Sequence, residues 1–262
     1  METSSEKKRV VIKAGTSTLA YQNGCLNLRR VEKLLRVLSD LKNSGKEIVF
    51  VTSGAVAVGM SKAGLAEKPS DMPGRQACAA IGQAELMNLY DREFAKYNHK
   101  SAQILMTRDV ISNPERKANI TNTFRKLLDM GVIPVVNAND CVSIENLDFD
   151  ENDTLSAIVA GICGADLLVI LTDVDGLFDR DPRLPDAKLI PLVTRITADM
   201  LASVGDKGSS LSSGGMLAKL EAARIASEYN VDTIILKGDS PDNLYSLFEG
   251  ENIGTLFKGE KL

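Results

Sequence analysis

Apolar residues along this chain fall into two kinds of run. Short stretches at 10–12, 48–51, 132–136, 167–171 and 231–236 are rich in Val, Ile and Leu and predict buried strands. Residues 101–106 read the same way, and 252–257 as a short closing edge strand. Between them, apolar positions recur at helical spacing. Val31, Leu34, Leu35, Leu38 and Leu41 share one face of a helix over 29–43, which Ser44-Gly45 ends. Helices are also predicted over 74–97, over 114–129 (Phe124, Leu127 and Leu128 apolar), and from Thr154, with Leu155, Ile158, Val159 and Ile162 inward. Residues 180–192 carry three prolines and read as loop. Strands alternating with helices predict an α/β fold: a three-layer αβα sandwich around a mainly parallel central sheet of about eight strands, with right-handed crossovers. The run 167–171 is its central parallel strand, since apolar residues on both faces mean burial on both.

The polar residues gather where these strands end, and the carboxyl edge of an open parallel sheet is where ligands bind. The first strand ends in Lys13-Ala14-Gly15-Thr16-Ser17. An ammonium, hydroxyls and a glycine turn suit a phosphate, although a solvent-exposed lysine is the plain alternative. The second ends in Thr52-Ser53-Gly54 before small apolar residues that suit a tightly packed helix. That helix start either draws an anion or simply uses Ser53 as its N-cap. The strand over 132–136 leads into Asn137-Ala138-Asn139-Asp140. Amides that donate and accept, beside a carboxylate that only accepts, orient a polar ligand or form an Asx turn. An acidic stretch over 148–153 places Asn152 and Asp153 at a helix N-terminus. There Asp153 either caps the helix, a contribution of about 0.5–2 kcal/mol, or anchors an ammonium group. The central strand ends in Thr172-Asp173-Val174-Asp175-Gly176. Finally, the Gly/Ser-rich stretch 205–215 opens a helix with Lys219 in its first turn and a half. It is a phosphate cradle or a linker.

Composition narrows the chemistry. The 262 residues are enough for one large domain or two lobes. A net charge of −4 and no long basic run argue against nucleic acid as the main partner. Residues 1–8 lack the apolar core of a signal peptide, and the apolar stretch 157–171 is broken by Asp166 and two glycines, so no membrane segment is expected. Cys25, Cys78, Cys141 and Cys163 are scattered, as in a reduced cytoplasmic protein without a cysteine metal site. The single histidine, His99, argues against histidine acid–base or zinc chemistry. Two lysines beside glycine-containing turns, with an aspartate to hold them, fit phosphoryl transfer, which needs charge neutralisation and positioning above all. Neither a Gly-x-x-x-x-Gly-Lys-Ser/Thr loop nor a His-Arg-Asp loop is present, so a kinase here needs another scaffold.

Lys13-Ala14-Gly15-Thr16-Ser17, Thr172-Asp173-Val174-Asp175-Gly176-Leu177 and Gly214-Gly215-Met216 with Lys219 resemble the amino-acid kinase superfamily. Within it, residues 51–59, Asn137-Ala138-Asn139-Asp140 and Asn152-Asp153-x-Leu155-Ser156-Ala157 resemble the glutamate 5-kinase family, and the likeness runs from 10 to 257. The resemblance implies ATP-dependent phosphorylation of the γ-carboxylate of L-glutamate to L-glutamyl 5-phosphate, the first step toward proline. It implies that Lys13 and Lys219 stabilise the transferring phosphoryl group and that Asp153 orients them. Ser53, Asp140 and Asn152 would bind glutamate, with Gly54 and Asn137 close by. Lys13, Thr172, Asp173 and the segment Ser213, Gly214, Gly215, Met216, Leu217, Ala218 and Lys219 would bind the nucleotide. Mg²⁺ would arrive on ATP, held by phosphates and water, so no protein metal site is expected. The attacking carboxylate is already ionised at neutral pH and needs no general base.

The resemblance further implies a cytoplasmic homo-oligomer, dimer or tetramer, with proline as feedback inhibitor. It implies a single domain over 1–262, with an acidic-substrate lobe near 9–165, a nucleotide lobe near 166–262, a flexible tail over 1–8 and no C-terminal PUA domain. The chain departs from the family pattern in three places. Ala14 stands where Leu, Val or Ile is common, Ser213 where Thr is common, and Asp150-Glu151 where Gly-Asp is common. The rival readings are N-acetylglutamate kinase, aspartokinase or a nucleoside monophosphate kinase on the same fold, and a non-catalytic nucleotide or amino-acid sensor. Keeping both lysines and Asp153 argues against the sensor. A haloacid dehalogenase-type phosphatase is approximated by Asp173-Val174-Asp175-Gly176, but its Thr is missing and the motif lies past the middle of the chain. An EF-hand fails on the offset of the glycine.

Overall fold

The computed structural model describes residues 6, 8–21, 25–107, 109–142, 152–205 and 215–259. The apolar runs become strands of one sheet: β1 (Arg9–Ala14), β2 (Glu47–Val51), β3 (Ser101–Met106), β4 (Ile133–Ala138), β5 (Leu167–Thr172), β6 (Leu192–Val193), β7 (Asp232–Lys237) and β8 (Thr255–Phe257). Their order is β3-β4-β2-β1-β5-β7-β8-β6, and only β7–β8 pair antiparallel. The expected strand count and parallel sheet are therefore observed. β5 lies between β1 and β7, with both its faces buried. The strand read from 252–257 is shorter and is not the edge, because β6 pairs outside β8. Two residues following Pro191 are too few to show a period, which hid β6 in the sequence.

The helices are α1 (Thr16–Leu19), α2 (Leu28–Asn43), α3 (Ala55–Lys62), α4 (Met72–Ala95), α5 (Asp109–Ser112), α6 (Pro114–Asp129), α7 (Asn152–Cys163), α8 (Ala198–Gly205), α9 (Met216–Glu228) and α10 (Asn243–Glu249). α1, α5, α8 and α10 have eight residues or fewer and were not expected from periodicity. Strand alternation sorts the core into two layers. Val10 and Ile12 pack with Phe50, Val135 and Val169 against Leu34, Leu38, Leu86 and Tyr90 of α2 and α4. Val11 faces the other way with Val49, Val136, Leu168 and Ile170, against Phe124, Val159 and Ala226 of α6, α7 and α9. This is the predicted αβα sandwich.

α3 and α4 cross with their backbones in contact. A Cβ at Gly59 would lie 1.8 Å from the Cys78 carbonyl oxygen, and one at Gly82 would lie 1.8 Å from that of Ala55. Only glycine fits at either crossing point. Backbone against backbone cannot relax by side-chain rotation, so Gly82→Ala must push the helices apart. We expect it to lower stability by about 3 kcal/mol, the upper range for overpacking, as measured by urea unfolding.

Candidate active site

The site is built where β1, β2, β4 and β5 end and where α7 and α9 begin. Lys13 is the fifth residue of β1, Asp153 the second of α7 and Lys219 the fourth of α9. All three are buried, Asp153 to 1% exposure. Lys13 Nζ lies 2.7 Å from Asp153 Oδ1, and Lys219 Nζ lies 3.4 Å from Oδ2. The carboxylate is shared, one oxygen to each ammonium, and no neutral donor among the described residues reaches either oxygen. Burial pushes the Lys13 pKa down; the charge of Asp153 and its hydrogen bond pull it back up, and Lys219 adds to the lowering. With both lysines protonated, the triad carries one excess positive charge in a nearly dry place. A Cβ at Gly15 would stand 3.0 Å from the Lys13 ammonium, so that glycine keeps the approach to it open.

One strand over, Asn152 reaches across the end of β2. Its Nδ2 donates to the Thr52 carbonyl at 3.1 Å and to Ser53 Oγ, and lies 3.4 Å from Asn137 Oδ1. Ser53 is therefore not the N-cap of α3. Gly54 takes that place in the left-handed conformation at φ 91°, and no side chain caps the helix. Having accepted from Asn152, the Ser53 hydroxyl keeps its own proton to offer outward. Asn152 Oδ1 is buried and has no partner among the described residues. Asn137 is buried at 2% exposure, with Oδ1 on the Ala138 N–H and Nδ2 on Gln83 Oε1. Asp140 follows β4, and burial alone raises its carboxyl pKa to about 6.

Toward the other side, Thr172 ends β5 and its hydroxyl donates to Asp173 Oδ1 at 3.0 Å. Gly215 caps α9, and Met216, Leu217, Ala218 and Lys219 form its first turn. Ser213, Gly214 and the altered Asp150-Glu151 pair lie outside the described residues. Sequence reasoning missed the Thr52 carbonyl, Gln83 and Tyr90, whose hydroxyl lies 2.6 Å from Thr52 Oγ1. The one available signal was a polar residue, Gln83, on a helix face otherwise turned to the core. His99 stands apart, its Nε2 3.2 Å from the Ser39 carbonyl.

Residues 8–237 match the amino acid kinase family, and the chain belongs to it. UMP kinases from Bacillus anthracis and Ureaplasma parvum share the fold, with TM-scores of 0.64 and 0.66 at 19% and 15% identity; each comparison covers 97% of this chain, and 97% and 99% of theirs. Within the family the chain is a phosphotransferase of the glutamate 5-kinase group. It is 47% identical to the glutamate 5-kinase of Clostridium perfringens (strain 13 / Type A) over 98% of this chain and 97% of that one. It is 48% identical to that of Enterococcus faecalis (strain ATCC 700802 / V583), over 96% and 95%.

Removing the shared anion leaves two buried ammonium groups facing each other. Asp153→Asn is expected to cost about 3 kcal/mol in urea unfolding at neutral pH. The difference from the parent narrows at alkaline pH, as Lys13, its pKa already lowered by burial, gives up its proton.

Proposed function

We propose that this chain transfers the γ-phosphoryl group of ATP to the γ-carboxylate of L-glutamate, giving L-glutamyl 5-phosphate and ADP. The observation that carries the reading is the buried Lys13–Asp153–Lys219 triad, one carboxylate between two ammoniums. Its excess charge meets the negative charge of a phosphoryl group in transfer. The nucleotide binds over β5, with Lys13, Thr172, Asp173 and the start of α9, Met216 to Lys219, around its phosphates; by the family likeness Ser213, Gly214 and Gly215 belong to the same nucleotide segment. Strands are about 4.8 Å apart, so an acceptor over β1 and β2 extends toward the end of β4. There the Ser53 hydroxyl offers a donor, while Asn152 Oδ1 and Asp140 offer acceptors with no cation on them among the described residues. Two acceptors suit the α-ammonium of a free amino acid, which an acetylated amine lacks. Gly54 and Asn137 shape that end.

The glutamate carboxylate attacks γ-phosphorus while the bond to the bridging oxygen of ADP breaks. The carboxylate is ionised, so no proton moves. Lys13 and Lys219 hold the transferring oxygens, and Asp153 holds the lysines. Both Asp153 oxygens already face ammoniums, and the described residues contain no group of three or more His, Cys, Asp or Glu able to hold a metal. On the family likeness Mg²⁺ would come with ATP, on phosphate and water ligands, and would supply further charge neutralisation. Residues near 9–165 form the acidic-substrate half and 166–262 the nucleotide half of one unit. Proline as feedback inhibitor, a homo-oligomeric state and a cytoplasmic location belong to the same reading and rest on the family likeness. No helix among the described residues is long and apolar enough to cross a membrane.

The test is an ATP and Mg²⁺ assay with hydroxylamine trapping, comparing glutamate, N-acetylglutamate and aspartate. Hydroxamate from glutamate is expected; signal only from another acceptor replaces the substrate. Lys13→Ala and Lys219→Ala should each lower kcat by roughly 10²–10³, the usual loss of one transition-state donor. Asp140 gives a pH signature. Its carboxylate must be charged to take an ammonium, and its pKa of about 6 means protonation as pH falls through that value. The KM for glutamate should rise below pH 6. Asp140→Asn should raise KM at neutral pH and abolish the pH dependence, as read from initial rates between about pH 5 and pH 8.

A further inference from the structure

Gln83 is a polar residue on the inner face of α4, 7% exposed, in company with Cys78, Ala79, Leu86 and Tyr90. It accepts from Asn137 Nδ2 at 2.9 Å and donates to Gln103 Oε1 at 3.1 Å. Its bond to Asn137 matters because of what lies beyond. The Ala138 backbone N–H can only donate, and it meets Asn137 Oδ1 at 2.9 Å. That fixes which way the Asn137 amide faces, with its NH₂ toward α4. The Thr52 carbonyl can only accept, and it takes Asn152 Nδ2. That fixes Asn152 with its oxygen turned away, buried and unpartnered. Asn137 Oδ1 and Asn152 Nδ2 then face each other with matching polarity. Backbone groups at two strand ends thus set a chain of amides whose last member is a bare acceptor. Gln83 is the group that satisfies the chain at its inner end. Without it, Asn137 Nδ2 is left buried without an acceptor. Its relief is a rotation that takes Oδ1 away from Ala138 and Asn152 and turns NH₂ toward NH₂.

We infer that Gln83 is a positioning residue for the acceptor substrate: it locks the Asn137 amide, and through it holds Asn152 Oδ1 aimed at the substrate ammonium. The inference rests on the glutamate reading above and adds a residue to it from outside the strand ends. Seven residues further along the same helix, Tyr90 bonds the Thr52 hydroxyl, so α4 braces both strand ends from beneath. Gln103 lies exposed on edge strand β3, free to turn its own amide. A glutamate at position 83 would therefore find donors for both its oxygens.

The full chain is assayed with glutamate and ATP varied separately, for Gln83→Leu, Gln83→Met and Gln83→Glu. The two apolar variants should raise the KM for glutamate about tenfold, with kcat and the KM for ATP within about twofold of the parent, as befits one unsatisfied buried donor behind a binding group. Gln83→Glu should bring the glutamate KM back to within about threefold. General damage to the fold would move the ATP constant as well and would not be rescued by Glu. The inference is overturned if a folded apolar variant keeps the parent's glutamate KM, if Glu is no better than Leu or Met, or if neither apolar variant folds, since Gln83 would then serve stability alone. A parent chain that makes no product from glutamate overturns the substrate reading, and this inference with it. An active parent with unmoved Gln83 variants overturns this inference alone.

Discussion

Two ammonium groups held on one buried carboxylate are the constraint around which the rest is arranged. At the 2.7 Å contact of Lys13 with Asp153, Coulomb attraction is about 6 kcal/mol at an effective dielectric constant near 20. Taking each ion out of water costs several kcal/mol, so one anion between two cations leaves the set short of negative charge. On the proposed function, a phosphoryl group supplies what is missing. The arrangement is therefore a poor device for stability and a good one for holding an anion. It also demands rigid support, because the three groups come from β1, α7 and α9, which are far apart in the chain. Each stands within a regular element close to its end, where the backbone is fixed by the sheet or by helical hydrogen bonds.

That support comes from packing without slack. β1 is hydrogen-bonded to β2 on one side and β5 on the other, so Lys13 starts from the middle of the sheet. The faces of β1 are filled by alternate residues, Val10 and Ile12 on one side and Val11 on the other, leaving no room for a register shift. α3 and α4 are joined at glycines, which brings α4 near enough to β2 and β4 for Gln83 and Tyr90 to reach their ends. The small residues that look featureless in the sequence thus set where polar groups stand.

The acceptor side works by a different principle. Its groups are neutral amides and hydroxyls, apart from Asp140, and their directions come from backbone N–H and C=O groups that have no choice of role. Polarity passes from the Ala138 N–H and the Thr52 carbonyl through two asparagines to one outward oxygen. An unpaired acceptor in a buried place is costly, and Asp140, raised to about 6 by burial with no cation among the described residues to offset it, is costly in the same sense. On the proposed function, both costs fall when the substrate ammonium arrives.

Much of this was legible in the sequence because it rests on local periodicity. β-branched runs and the spacing of Leu34, Leu35 and Leu38 specify strands and helices through which face each side chain presents. Polar residues directly after apolar runs mark the carboxyl edge, which places Lys13, Ser53, Asn137 and Thr172 there. What escaped was whatever depends on residues distant in the chain or too few to show a period: β6 outside β8, the short helices, Gly54 in place of Ser53 as the cap of α3, and Gln83 behind Asn137. The sequence by itself determined the layered α/β architecture and the kinds of group along the sheet edge, because side-chain period and residue chemistry are local. Only the tertiary structure decided that Lys13 and Lys219 share one carboxylate, which way the amides face, and which acceptors stay bare. Those depend on distances between elements and on partners more than fifty residues away, as with the side chains of Gln83 and Asn137, 54 apart.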